Sequence, residues 1–186
     1  MRYKANEISA LNKIYNATAK LIKNKDYNDI SISEIIKEAG ISRSTFYVYF
    51  KTKDEILIQI CDDIFDHIFS NSLSKEKEHD YSKSLSKDLT HLVEHSFHHF
   101  FEDKELILAI LNSSGSQIFL SKLRKRIKPL IVNLIESKVI GNNDIMFDIK
   151  VHQYVNGFIA LIQYYLRHGE NITPEEISKI YFELYK

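Results

Sequence analysis

Five glycines and two prolines are all that this chain of 186 residues offers where the backbone must turn sharply. Tight connections lean on these residues, so a chain with so few supports a small number of long elements rather than many short strands. The apolar pattern agrees. Ile8, Leu11, Ile14, Tyr15, Ala17, Leu21 and Ile22 share one face of a helix over residues 5–24. Ser31-Ile32-Ser33-Glu34 has the form of a capping box, and Gly40 stands where a left-handed residue ends the short helix that the box opens. Ser42 is placed to cap the next helix, to about Phe50. Thr52 to Glu55 then repeats the capping-box pattern and opens a long helix through Phe69.

Beyond the polar stretch 70–84, read as a connection, the periodicity predicts helices over 85–101, 104–111 and 118–139. Pro129 is expected to kink the third of these, because it lacks an N–H and its ring crowds the preceding turn. A strongly apolar helix follows over 144–168. Thr173-Pro174-Glu175-Glu176 starts a last one, over 174–185, with an N-cap hydroxyl and proline in the first turn. The reading is all-α, about nine helices, divided into 1–52 and 53–186. No run of about 18 apolar residues suggests a membrane span, and the first residues lack the apolar core of a signal peptide. The lone cysteine, Cys61, leaves no disulfide framework, so a cytoplasmic protein is expected.

Two short helices joined by a glycine turn make a helix-turn-helix, whose second helix enters the DNA major groove. The composition of GISRSTFYVYFKTKDE, residues 40–55, suits that task. Ser42, Arg43, Ser44 and Thr45 lie at the end of the helix that reaches base edges. Arg43 has the fork to bond a guanine, worth roughly 1–3 kcal/mol of discrimination. Tyr47 and Tyr49 offer hydroxyls to phosphates, and Lys53 lies at a helix start that also favours phosphate. Phe46 and Phe50 should pack inward. Residues 1–52 hold nine Lys/Arg against five Asp/Glu within a chain of zero net charge, as a polyanion-binding head would.

These residues resemble a known family. The run from Ile30 to Ser42, then Ser44-Thr45-Phe46-Tyr47, Tyr49-Phe50 and Lys53-Asp54-Glu55-Ile56-Leu57, is similar to the DNA-binding domain of the TetR (tetracycline-repressor-like) transcription regulators. Ser44 stands where many members carry glycine. The resemblance implies an all-helical homodimer with an N-terminal three-helix DNA-binding domain and a larger C-terminal bundle that dimerises and binds an effector. It carries DNA contacts to Ser31, Ser33, Arg43, Ser44, Thr45, Tyr47, Tyr49 and Lys53. Leu111 to Gly115, Phe119 to Leu123 and Tyr154 to Ile159 are also similar to one C-terminal type of that family.

In the body, the 144–168 segment is apolar nearly all round, which calls for burial on several sides. With the 174–185 stripe it is expected to form a homodimer interface. The cluster Lys122, Arg124, Lys125, Arg126 and Lys128 is read as a solvated helix face. The default effector is a small, mostly apolar molecule near Phe97, Phe101, Leu111 and Phe158. The alternative is zinc held by Cys61 and the histidine-rich segment 91–99. His91, His95 and His98 (or His99) share a face there, and His67, with His152 more remotely, is a further candidate. Asp62, Asp63 and Asp66 would orient such ligands. A regulator controlled by a protein partner is a third reading. No nucleophile–base set, phosphate-binding glycine loop or H-E-x-x-H pattern marks the chain as an enzyme.

Overall fold

A computed structural model of the chain describes residues 5–69, 85–141, 143 and 145–186. The expected connection over 70–84 lies outside them. The described residues are helical throughout, with no strand: α1 (Ala5–Asn24), α2 (Ile32–Ala39), α3 (Arg43–Tyr49), α4 (Lys53–Phe69), α5 (Leu85–Glu102), α6 (Lys104–Leu111), α7 (Ser116–Glu136), α8 (Phe147–His168) and α9 (Pro174–Leu184), with 3-10 turns at Tyr27–Asp29 and Gly169–Asn171. By packing, the chain divides into Met1–Asp63 with Glu105–Leu120, and Ile64–Lys104 with Ser121–Lys186. The sequence suggested a single cut after residue 52, whereas this grouping follows tertiary contact and recruits a distant segment into the first unit.

The first unit is built on local signals that act as expected. Ser31 Oγ accepts the N–H of Glu34, and the Glu34 carboxylate accepts the N–H of Ser31, so both halves of the capping box form. Gly40 ends α2 at φ 61° and ψ 40°, and the Ile41 N–H turns back onto the Ile36 carbonyl. A side chain with a Cβ disfavours that left-handed geometry. Ser42 Oγ caps α3 by accepting the Thr45 N–H at 3.0 Å. The box at α4 forms differently. Glu55 N–H reaches Thr52 Oγ1, but the Glu55 carboxylate takes the N–H of Lys51, one residue outside the expected partner. Under these caps lies a core of Ile14, Ile35, Phe46, Phe50, Ile56, Leu57 and Ile107. Phe46 and Phe50 point inward as expected, their rings 6.4 Å apart, with Tyr15 of α1 closing on Phe50.

In the second unit α5 packs against α8 and α9, and α8 against α9. The core there is aromatic. Phe158 lies 5.1 Å from Phe97 and 5.0 Å from Tyr181, and Tyr154 lies 4.5 Å from Tyr185. Tyr181 is buried, with its hydroxyl donating to the Tyr154 carbonyl, so the polar end of this large side chain is satisfied. Gly157 makes room for the end of α9, since a Cβ there would overlap the Tyr185 hydroxyl.

The bounds of α7 and α8 differ from the periodic reading by two residues or more. α7 runs on through Pro129 but stops at Glu136, because Lys138 turns left-handed at φ 56° and the Val139 N–H closes back onto the Leu134 carbonyl. α8 begins at Phe147 rather than at residue 144. The Lys150 ammonium bonds the carbonyls of Gly141 and Asn143, and Met146 precedes the first helical residue at φ −52° and ψ 136°. Nor is α8 enclosed all round. Phe147, Ile149 and Tyr164 are about half exposed, while Val155, Phe158, Ile162 and Tyr165 are buried.

Candidate nucleic-acid interface

α3 is seven residues long, and its two faces have opposite character. Phe46 is buried, which fixes the helix on the core. The other face presents Arg43 and Tyr47 in one row and Ser44 and Val48 in the next, each pair four residues apart and therefore adjacent on the helix surface. The Arg43 guanidinium lies over the Tyr47 ring at 5.5 Å, with Nη2 3.4 Å from its hydroxyl. That contact holds a long cationic side chain over the outward face. Ser42 Oγ also meets Ser44 Oγ at 2.8 Å and Thr45 Oγ1 at 2.7 Å, so three hydroxyls cluster at the helix start. Thr45 and Tyr49 are half-buried at the edges of this face.

Val48 is a residue that the sequence reading passed over. It is 78% exposed, the most open of the large hydrophobic side chains in the described structure. An apolar group at that point of a groove-reading helix suits the methyl group of thymine. Its signal in the sequence is faint: one β-branched residue between two tyrosines on a helix whose apolar face is already filled.

α2 packs against α3. Ser33 is exposed, whereas the Ser31 hydroxyl is engaged by Glu34 at 2.8 Å. Glu34 also takes the Lys25 ammonium at 2.6 Å. This ion pair, together with the Ser31 N–H and hydroxyl, holds the Glu34 carboxyl down at about 2. Ser31 therefore serves the cap first, and an incoming phosphate would meet a fixed carboxylate there.

Lys53 begins α4 as expected, but its ammonium is engaged inside the fold. It donates to the carbonyls of Tyr27, Asn28 and Ile30 at 2.7, 3.0 and 3.0 Å, and lies 4.7 Å from the centre of the Tyr27 ring. The reason is geometric. The 3-10 turn and the residue after it present three carbonyls, of which that of Tyr27 already accepts the Ile30 N–H, and a cation 23 to 26 residues further along the chain donates to all three. Tyr27 itself is buried and donates to Asp54 at 2.6 Å, so burial and that acceptor both raise its pKa. A second segment closes the same turn from the other side. Asp26 accepts from the hydroxyl and the N–H of Ser114, and this bonding with the Asn28 N–H lowers its pKa. Gly115 lies so close that a Cβ would come 2.8 Å from Leu57.

The residues considered for an effector fall in both units. Phe97, Phe101 and Phe158 belong to the second, where Phe97 and Phe101 both contact Tyr165 and Phe97 contacts Phe158. Leu111 belongs to the first. The residues considered for a metal are likewise distributed. Cys61 is buried in the first unit. In the second, His91 and His98 are exposed and sit 3.8 and 3.4 Å from Glu94 and Glu102. One ligand atom from each of His67, His99 and Glu102 instead lies within 4.8 Å of the others, and His95 bonds His99. His99 is the periodic alternative to His98, whereas periodicity does not single out Glu102 as a ligand. Of the basic run on α7, Arg126 pairs with Asp66 and Arg124 bonds Asn156, as a solvated face would.

Residues 14–60 match the family model described as bacterial regulatory proteins of the tetR family. Residues 87–186 match one described as a transcriptional regulator C-terminal region of the same group. An uncharacterised helix-turn-helix regulator of Haemophilus influenzae is 36% identical over 64 residues, covering 34% of each chain. The uncharacterised regulator YerO of Bacillus subtilis is 27% identical over 92% of this chain and 61% of its own length. The chain thus spans about a third of the first relative and less than two thirds of the second. Among solved structures, a TetR transcriptional regulator from Streptococcus agalactiae is similar in fold, with a TM-score of 0.76 and 23% identity over 96% of this chain and 94% of that one.

Proposed function

Because the chain belongs to the TetR family of transcription regulators and carries that family's helix-turn-helix DNA-binding domain, we propose that it binds an inverted-repeat operator as a homodimer, with operator affinity set by a ligand of the C-terminal region. This is a family of regulators, not of enzymes. The observation that carries the proposal is the outward face of α3. Arg43, Ser44, Tyr47 and Val48 are exposed on a helix anchored by buried Phe46, which is the arrangement that major-groove reading requires. Two recognition helices reading one inverted repeat lie about one DNA turn apart, roughly 34–36 Å.

Exposed apolar residues support the homodimer. Met146, Phe147, Ile149, Tyr164, Ile180 and Leu184, on or next to α8 and α9, range from 40% to 70% exposed. A second copy would bury them. The aromatic group of Phe97, Phe101, Phe158 and Tyr165 supports an apolar effector among the helices of the second unit.

The test is selection of operator DNA from a random pool by the purified protein, followed by titration of Arg43→Ala. Loss of about 1–3 kcal/mol on the selected site, with preference relaxed at one base pair per half-site, is expected. An equal loss on selected and random DNA would move Arg43 to the phosphates. A monomer in sedimentation at micromolar concentration would defeat the dimer.

A further inference from the structure

We propose that the second unit holds a binding site for a divalent first-row transition ion, zinc in the first instance, formed by His67 at the end of α4 and by His99 and Glu102 on α5. One ligand atom from each residue lies within 4.8 Å of the others. A tetrahedral ion with bonds of about 2.0–2.2 Å sets its ligand atoms roughly 3.4 Å apart, so rotations about side-chain bonds close the site. The backbone already supplies the register. His99 and Glu102 are three residues apart on one face of α5, and the rings of His67 and His99 are 4.5 Å apart.

The bonding of His99 is what favours a metal over a packed core histidine. His99 is buried, and both its nitrogens are engaged: Nδ1 lies 2.6 Å from Glu102 Oε2 and Nε2 lies 2.9 Å from His95 Nε2. Whichever nitrogen takes the ion, the partner it leaves is itself a metal-binding group. If Nδ1 binds, Glu102 turns from hydrogen-bond partner to ligand and His95 keeps Nε2 in place. His67 and Glu102 are exposed, which gives the ion a path from solvent to a buried imidazole. Two imidazoles and one carboxylate suit zinc, iron or nickel, and three protein ligands leave a position for water. The site stands without the DNA-binding reading, and its test uses no DNA.

The full chain, stripped with a chelator, is titrated with cobalt(II) and followed by absorption, then with zinc in competition. Saturation at one ion per chain is expected, with visible ligand-field bands and no near-ultraviolet thiolate charge transfer, since the set holds nitrogen and oxygen only. His67→Ala and Glu102→Gln alter exposed side chains. Each should weaken cobalt binding by about tenfold or more, while His91→Ala leaves it unchanged. Absence of the bands, a thiolate band, or binding that survives both variants would overturn the site.

Discussion

A lysine beside a recognition helix invites a phosphate contact, yet at Lys53 three backbone carbonyls hold the charge. Lys53→Met separates the two roles, because it keeps the stem and removes the ammonium. Removing this donor from the carbonyls of a part-buried turn should cost about 1–3 kcal/mol, read as a lower urea midpoint with an unchanged slope. DNA binding should fall only as far as the folded fraction does. If the variant unfolds with the wild-type midpoint but loses DNA affinity alike on all sequences, the ammonium belongs to the phosphates after all. Arg43 is the contrasting case. Its guanidinium rests on the Tyr47 ring at the surface and supports no other backbone, so its loss should spare stability.

At the level of elements, the packing of α8 against α9 turns on one residue without a side chain. Gly157→Ala favours an isolated helix by up to about 1 kcal/mol, but here the added methyl would overlap the Tyr185 hydroxyl. Overpacking of this kind costs about 1–3 kcal/mol. The net effect should be a melting temperature lower by a few degrees, partly restored when Tyr185→Phe removes the obstructing oxygen. A higher melting temperature for Gly157→Ala would contradict the packing. Elements with local punctuation were legible in the sequence. Ser31, Gly40, Ser42 and Thr173 each act within four residues, and the starts of α2, α3 and α9 follow from them. The start of α8 was not legible, and the Lys150 ammonium there reaches back to Gly141 and Asn143. The outward residues of α3 could be read from helical period alone. The tie of Lys53 to Tyr27 and the meeting of His67 with His99 join different elements, and no periodic pattern announces such pairs.

For the molecule as a whole, the notable fact is that the DNA-binding unit is discontinuous in sequence. It takes Met1–Asp63 and then Glu105–Leu120, and the second piece supplies Ser114 to Asp26 and Glu105 to Lys23. A chain cut after Asp63 should therefore melt below the temperature at which the head of the intact protein unfolds. Supplying residues 105–120 through a flexible linker should restore part of the difference, as followed by far-ultraviolet circular dichroism. Equal melting of the cut chain and the intact head would show that the returning segment adds nothing. The discontinuity also bears on how such regulators can be recombined. A crossover placed after Asp63, in a gene or at the bench, gives the hybrid a head whose Asp26 faces whatever turn the new body happens to carry. Hybrids that keep a serine followed by a glycine at that turn would inherit a working seam, and the others would have to evolve one.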